Sequence, residues 1–404
     1  MLIAALVFLM GCTAGVPDQP SVLLITLDGV RADRLGSYGH LPTETPNLDS
    51  LARSGTQFNR AYTTSTSREP ALLSVLTGSP PPVHGQRFDG VAFQGGLAPF
   101  GWVAAMLEKG FVGIRVGPKS DVLKEWFTRR EGDFQIASDG PNRLIWLPIY
   151  LSDSARDLPG RAYDRALQSL DKQVGDALDV WKAQQPSGLV IVVGLRGSLS
   201  GARHGAALGL TDDMVRVPMI VSGPDVQTEW VVEDPVSNMD LGAWMAGRYG
   251  LAVPAHGVSP FQGGSALPYS ESTVGWSMFH AHLLQGFTDI DGRYTEATYG
   301  SWFPAGANVV RGFPDPLSEY PEMAAQLKGL RTDFGGDEGL PLEAKSSTLD
   351  PAGLMGSMSL VAKARKALSR GHTDGASRIT AQLVSEHGDV PAVIELRQAI
   401  QAGQ

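Results

Sequence analysis

The chain has 404 residues, a formal net charge of −9, 43% hydrophobic and 19% charged residues, the balance of a folded globular protein. This acidity, with no basic run longer than Arg129-Arg130, argues against a nucleic-acid partner, and the length exceeds what one core usually covers, so a large domain with appended units is expected. A single cysteine excludes a disulfide framework, and the 48 glycines and 27 prolines are dispersed, which points to tight loops rather than low complexity.

In chain order, Leu2–Met10 is an apolar run too short to span a bilayer, and it ends in Leu9-Met10-Gly11-Cys12. That pattern resembles the lipobox of bacterial lipoprotein precursors, although no Lys or Arg precedes it. The resemblance implies lipidation at Cys12, membrane attachment through that lipid, and a place in the bacterial cell envelope. Thr13 after the cysteine, in place of Asp, suggests the outer membrane, and a plain signal peptide is the alternative. Residues 13–20 read as a tether, so residues 1–20 form the leader and tether.

Val22–Leu27 is a nearly continuous apolar run with β-branched residues, as in a strand buried on both faces of a parallel sheet. Asp28 follows at its carboxyl end, where open α/β sheets place ligands; its alternative role is to cap the turn at Gly29. The run Asp28-Gly-Val-Arg-Ala-Asp-Arg-Leu-Gly-Ser-Tyr-Gly39, then Thr45-Pro-Asn-Leu-Asp49 and Phe58-Asn-Arg-Ala-Tyr62, resembles the opening of the sulfatase branch of the alkaline-phosphatase superfamily. The resemblance implies a large, mixed, mainly parallel sheet flanked by helices over residues 21–265, with a metal-binding Asp at the end of the first strand. It also implies a smaller antiparallel C-terminal subdomain, here residues 266–335.

After a polar loop, Thr63–Pro70, a helix is expected from Ala71 with Gly78 beyond its end, then a helix over Phe100–Lys109 and a strand over Phe111–Val116. Residues 120–158 show no clean period and read as loop and insertion. Ala166, Leu167, Leu170, Val174, Ala177, Leu178 and Trp181 form a helical stripe within Tyr163–Gln184, and Leu189–Val193 and Val217–Val221 are further strands. Met239–Tyr249 reads as a helix closed by Gly250. From Tyr269 to Tyr299, alternation with turn signals, including Gly275-Trp-Ser, suits an antiparallel sheet, and Pro321–Arg331 suits a short helix. Residues 350–404 carry three helical segments, Met358–Ser369, Asp374–Glu386 and Val390–Ala402. They resemble about one and a half tetratricopeptide repeats, too few for a solenoid alone, so they pack on the main domain or await a protein partner.

The resemblance also locates the chemistry. The family's nucleophile lies two residues before a Pro and nine before a Thr-Gly; against Pro70 and Thr77-Gly78 that position is Arg68, and the arginine four residues later is Leu72. A guanidinium has no available lone pair and stays protonated throughout the physiological pH range, so it is no nucleophile. The later Asp-His-Gly or Asp-Asn-Gly metal triplet is replaced by Leu195-Arg196-Gly197, and the frequent second Asp by Gly29. Ca²⁺ or Mg²⁺ needs roughly six hard oxygen ligands, so Asp28 alone does not suffice and neither metal nor cofactor is expected. His84, in Pro-Val-His-Gly85, reads as a loop former, His204 as a pocket or surface residue, and His280 with His282 as a weak metal signal.

Three readings stand at this point. The first is a lipid-anchored sulfatase-fold protein that has lost hydrolysis and binds or scaffolds. The second is an active hydrolase of sulfate or phosphate esters that uses Ser67 or Thr66, with Ca²⁺ or Mg²⁺. The third, a variant of the first, is an anion-binding protein in which Arg68, Arg196 and Arg203 take a sulfated or phosphorylated ligand. Within them, Asp28 is expected to pair with Arg68 or Arg196.

Overall fold

A computed structural model of the chain describes residues 19–89, 101–117, 126–130, 134, 139–151, 160–198, 209–254, 256–264, 268–279, 284–288, 292–296, 300–304, 311–312 and 354–402. Eight strands form the main sheet: β1 (Val22–Asp28), β2 (Thr56–Phe58), β4 (Val112–Val116), β5 (Thr128–Arg130), β6 (Arg143–Tyr150), β7 (Leu189–Arg196), β8 (Met219–Ser222) and β9 (Trp230–Val232). Their order is β5-β4-β6-β1-β7-β8-β2-β9, and β8 alone runs against its neighbours. The short strands β3 (Ala61–Tyr62) and β10 (Val236–Ser237) pair in parallel beside it.

The alternation of β1 explains its unbroken apolar sequence. Val22 and Leu24 face a core built with Leu73, Leu76, Trp102 and Met245. Those four come from the helices α2 (Arg68–Thr77), α4 (Gly101–Glu108) and α7 (Asp240–Tyr249). Leu23, Ile25 and Leu27 face the opposite core with Leu48, Leu51, Leu170, Val174 and Trp181. That core is supplied by α1 (Pro46–Arg53) and α5 (Arg161–Gln184), and the one-turn helices α3 (Pro81–His84) and α6 (Asp212–Val215) sit in connections. A strand covered on both faces needs apolar side chains at every position. Each fully buried Leu here contributes about 1.5–3 kcal/mol through burial.

Three local expectations are corrected. The stretch read as loop and insertion holds β5 and β6, and β6 lies directly beside β1, with Thr26 opposite Pro148. The β4 ladder ends at Trp146, two residues before Pro148, so the missing proline N–H costs no bond on that side. Helix α2 begins at Arg68, not Ala71, and closes at Gly78, whose φ of 72° is left-handed and whose Cα a Cβ on Gly242 would overlap. The Gly275-Trp-Ser stretch lies in helix α8 (Val274–Phe279).

A separate five-stranded antiparallel sheet runs in chain order: β11 (Tyr269–Ser272), β12 (Leu284–Thr288), β13 (Gly292–Glu296), β14 (Gly300–Pro304) and β15 (Arg311–Gly312). The chain closes with α9 (Met355–Leu368), α10 (Thr373–His387) and α11 (Pro391–Ala402). These helices share a core of Val361, Leu383, Val393 and Leu396 with Phe279 of α8, so they pack on the antiparallel unit. His280, His282 and the Pro321–Arg331 segment lie outside the described residues.

Candidate functional site

The site is built where β1, β6 and β7 end together. In register, Asp28 sits opposite Tyr150 on one side and Arg196 on the other. The β1–β7 register slips between Leu27 and Asp28, so Leu27 pairs with Gly194 and Asp28 with Arg196. This irregularity lets Leu195 turn into the core, 1% exposed, while Arg196 takes the place beside Asp28. Gly29 follows with φ 82°, a left-handed turn that glycine adopts freely, and its N–H donates to the Arg196 carbonyl at 3.1 Å. Tyr163 Oη, which donates to the Gly29 carbonyl at 2.9 Å and accepts from Arg31 N at 3.0 Å, pins the turn from α5.

Asp28 is buried, 1% exposed, and its charge is met by guanidiniums. Arg196 Nε donates to Asp28 Oδ1 at 2.8 Å and Nη2 reaches Oδ2 at 3.5 Å, while Arg196 Nη1 donates to the Thr66 carbonyl at 3.3 Å. Arg68 is the outer partner: Nη1 lies 3.9 Å from Asp28 Oδ2, its side chain is 41% exposed, and its guanidinium carbon stands 5.4 Å over the Tyr150 ring. Burial alone would lower the Arg196 pKa, but the Asp28 charge and hydrogen bond outweigh it and hold the pKa above its usual value. Asp28, Arg68 and Arg196 are therefore brought together, with Arg196 the close partner. Leu72 instead faces the core on α2. His204, Arg203 and Cys12 lie outside the described residues.

The hydroxyls of Thr63, Thr66 and Ser67, just before Arg68, are buried and committed. Thr63 Oγ1 donates to the Leu195 carbonyl at 2.5 Å, Thr66 Oγ1 to Ser272 Oγ at 3.0 Å, and Ser67 Oγ meets Thr273 Oγ1 at 3.1 Å. Their backbone is zipped to β11, with Glu271 N donating to the Thr64 carbonyl at 2.9 Å and Thr66 N to the Glu271 carbonyl at 3.0 Å. Among the described residues, no histidine or lysine touches Ser67 or Thr66 to act as a base. Glu271 is itself buried, paired with Arg87 at 2.8 Å and accepting from Tyr269 Oη at 2.7 Å. Burial raises the Glu271 pKa, opposed by the Arg87 charge.

His84 is also buried. Its Nδ1 accepts from Gln86 N at 3.2 Å, so its Nε2 carries the proton toward Ser74 Oγ, 3.0 Å away. Burial holds its pKa at about 3, and its ring fixes the loop that follows α2.

Among the described residues, the strand-end site does not fit a divalent cation. The Asp28 carboxylate at the end of β1 already accepts from Arg196, Leu195 of the Leu195-Arg196-Gly197 stretch is in the core, and a Cβ on Gly197 would overlap the Asp213 carbonyl. Among the described residues there is no group of three or more His, Cys, Asp or Glu able to hold a metal. Two residues of the site carried no sequence signal. Tyr150 lay in a segment that Pro148 disguised, and Asp89, which accepts from Glu69 N at 2.8 Å, follows no pattern that marks it.

Residues 20–96 match the sulfatase family model. Over 68 residues the chain is 41% identical to an arylsulfatase of Clostridium perfringens and 37% identical to the human N-acetylgalactosamine-6-sulfatase. Each match covers 17% of this chain and only 13–14% of the relative's own length. In solved structures the fold extends much further. A 2-O GAG sulfatase superposes with a TM-score of 0.63 at 14% identity, over 79% of this chain and 93% of that one. A phosphonate monoester hydrolase of Agrobacterium radiobacter gives 0.56 at 15% identity, over 78% and 96%. An alkaline-phosphatase-superfamily protein of Vibrio parahaemolyticus gives 0.59 at 16% identity, over 79% and 88%.

Proposed function

We propose, for a chain that carries a sulfatase domain on the alkaline-phosphatase superfamily fold, a role without hydrolysis: a lipid-anchored protein of the bacterial cell envelope that binds an oxyanion ligand or serves as a scaffold. The observation that carries this reading is the Asp28–Arg196 pair at 2.8 Å, a fixed organic cation against the carboxylate at the end of β1. Arg68, at the nucleophile's place, adds a second guanidinium and no lone pair. Among the similar proteins are an arylsulfatase and a phosphonate monoester hydrolase, and forked guanidiniums suit tetrahedral oxyanions of that kind without cleaving them. The lipobox-like Cys12 supports membrane attachment, and the three-helix tail offers a surface for a protein partner.

The test is turnover. The protein should not hydrolyse 4-nitrophenyl sulfate or 4-nitrophenyl phosphate above the buffer rate with Ca²⁺, Mg²⁺, Mn²⁺ or Zn²⁺ added. Turnover that Asp28→Ala abolishes would sink the proposal in favour of an active hydrolase.

A further inference from the structure

We infer that the carboxylate of Asp89 is the site's resident anion, and that an incoming oxyanion binds only by displacing it. The inference rests on the oxyanion-binding reading above and adds its regulation.

Asp89 joins two elements of the site. Its Oδ1 accepts from Glu69 N at 2.8 Å, in the first turn of α2, and its Oδ2 lies 4.0 Å from Arg196 Nη1. The helix start leaves this seat to it. Ser67, at the N-cap position, makes no side-chain cap and spends its Oγ on Thr273, and Pro70 in the same turn has no N–H to offer.

Charge makes the seat conditional. Among the described residues, Asp28 and Asp89 face the guanidiniums of Arg68 and Arg196; with Asp89 swung away, Arg196 loses one of its two carboxylate neighbours beside the helix start. A tetrahedral oxyanion presents more acceptor oxygens to the same backbone N–H and guanidinium than a carboxylate does. The swing is a side-chain motion. Just upstream, Arg87 is held by Glu271 at 2.8 Å, while the Asp89 side chain is 39% exposed and open to water. A tertiary helix cap alone would use the same bond to Glu69 N, but it would have no influence on anion affinity.

The full chain is titrated with inorganic sulfate and, separately, inorganic phosphate, followed by calorimetry, for the wild type, Asp89→Asn, Arg196→Gln and the double variant. Circular dichroism checks that each is folded. Asp89→Asn keeps the size and an acceptor oxygen but removes the competing charge, so it should bind both anions about tenfold tighter, as expected when roughly a tenth of the wild-type molecules have the seat open. Arg196→Gln should lose that binding in either background. Equal affinity of the wild type and Asp89→Asn overturns this inference alone, as does tight binding retained in the double variant. Absence of binding by every protein overturns it together with the oxyanion reading, and ester turnover would overturn the non-hydrolytic reading separately.

Discussion

Replacing Arg196 by Gln isolates the interaction on which the site depends. Among the described residues, the change leaves Arg68, at 3.9 Å, as the cation beside Asp28, which is 1% exposed. Removing one member of a buried ion pair typically costs about 3–5 kcal/mol. The Arg196 side chain is 18% exposed and Arg68 remains, which place the cost near the lower end, about 3 kcal/mol, including the lost bond to the Thr66 carbonyl. Arg68→Ala should cost about 1 kcal/mol or less, because a pair 41% exposed on one side is screened by water. Asp28→Asn removes the charge and keeps an acceptor, so it should cost less than Arg196→Gln. The double variant should show a coupling of about 2 kcal/mol. Urea unfolding at pH 7, followed by tryptophan fluorescence, measures all four. An Arg196→Gln effect within about 0.5 kcal/mol of zero, the range of an ordinary surface change, would refute the reasoning.

Three further outcomes are expected. His84 has a folded pKa depressed by burial to about 3, so its contribution is present above the unfolded value near 6.5 and is lost as pH falls toward 3, by about 1.4 kcal/mol per unit. His84→Asn should lower stability at pH 7 yet flatten its decline between pH 6.5 and 4.5, and an unchanged slope would remove His84 as the cause. Phe279→Ala should cost about 3–5 kcal/mol in the antiparallel unit and its helical tail, leaving the eight-stranded sheet intact, as hydrogen exchange resolved by segment would show; equal loosening of β1 would contradict that division. Cys12→Ala should release the protein from the membrane fraction of its host, and unchanged fractionation would refute the lipid anchor.

Much of the architecture was legible because burial leaves its period in the sequence. β1 shows as an unbroken apolar run since both its faces are covered, and α5 as a stripe since only one of its faces is. β6 was hidden by Pro148, which reads as a strand breaker until the length of its neighbour β4 is known. The first turn of α2 was hidden because Arg68 and Glu69 precede a proline. At the third helical position that proline sacrifices no bond, since the first four N–H groups of a helix have no partner within it. That Arg68 and Leu195-Arg196-Gly197 stand where the sulfatase resemblance leads one to expect a nucleophile and a metal triplet could be read from alignment to Pro70, Thr77 and the strand at Leu189. The slip that sets Arg196 against Asp28 could not, because no local pattern encodes where two strands fall out of register. Arg87 and Glu271 pair across 184 positions, and neither residue announces the other.

The central claim of the proposal is that Arg196 stands beside Asp28 in the place where the sulfatase resemblance leads one to expect a metal ion. Calorimetric titration of the purified full chain with Ca²⁺ and with Mg²⁺, alongside elemental analysis of the protein as isolated, tests it directly. The expected result is no bound ion and no heat of binding for the wild type or for Asp28→Ala. One divalent ion per chain in the wild type, lost in Asp28→Ala, would contradict it.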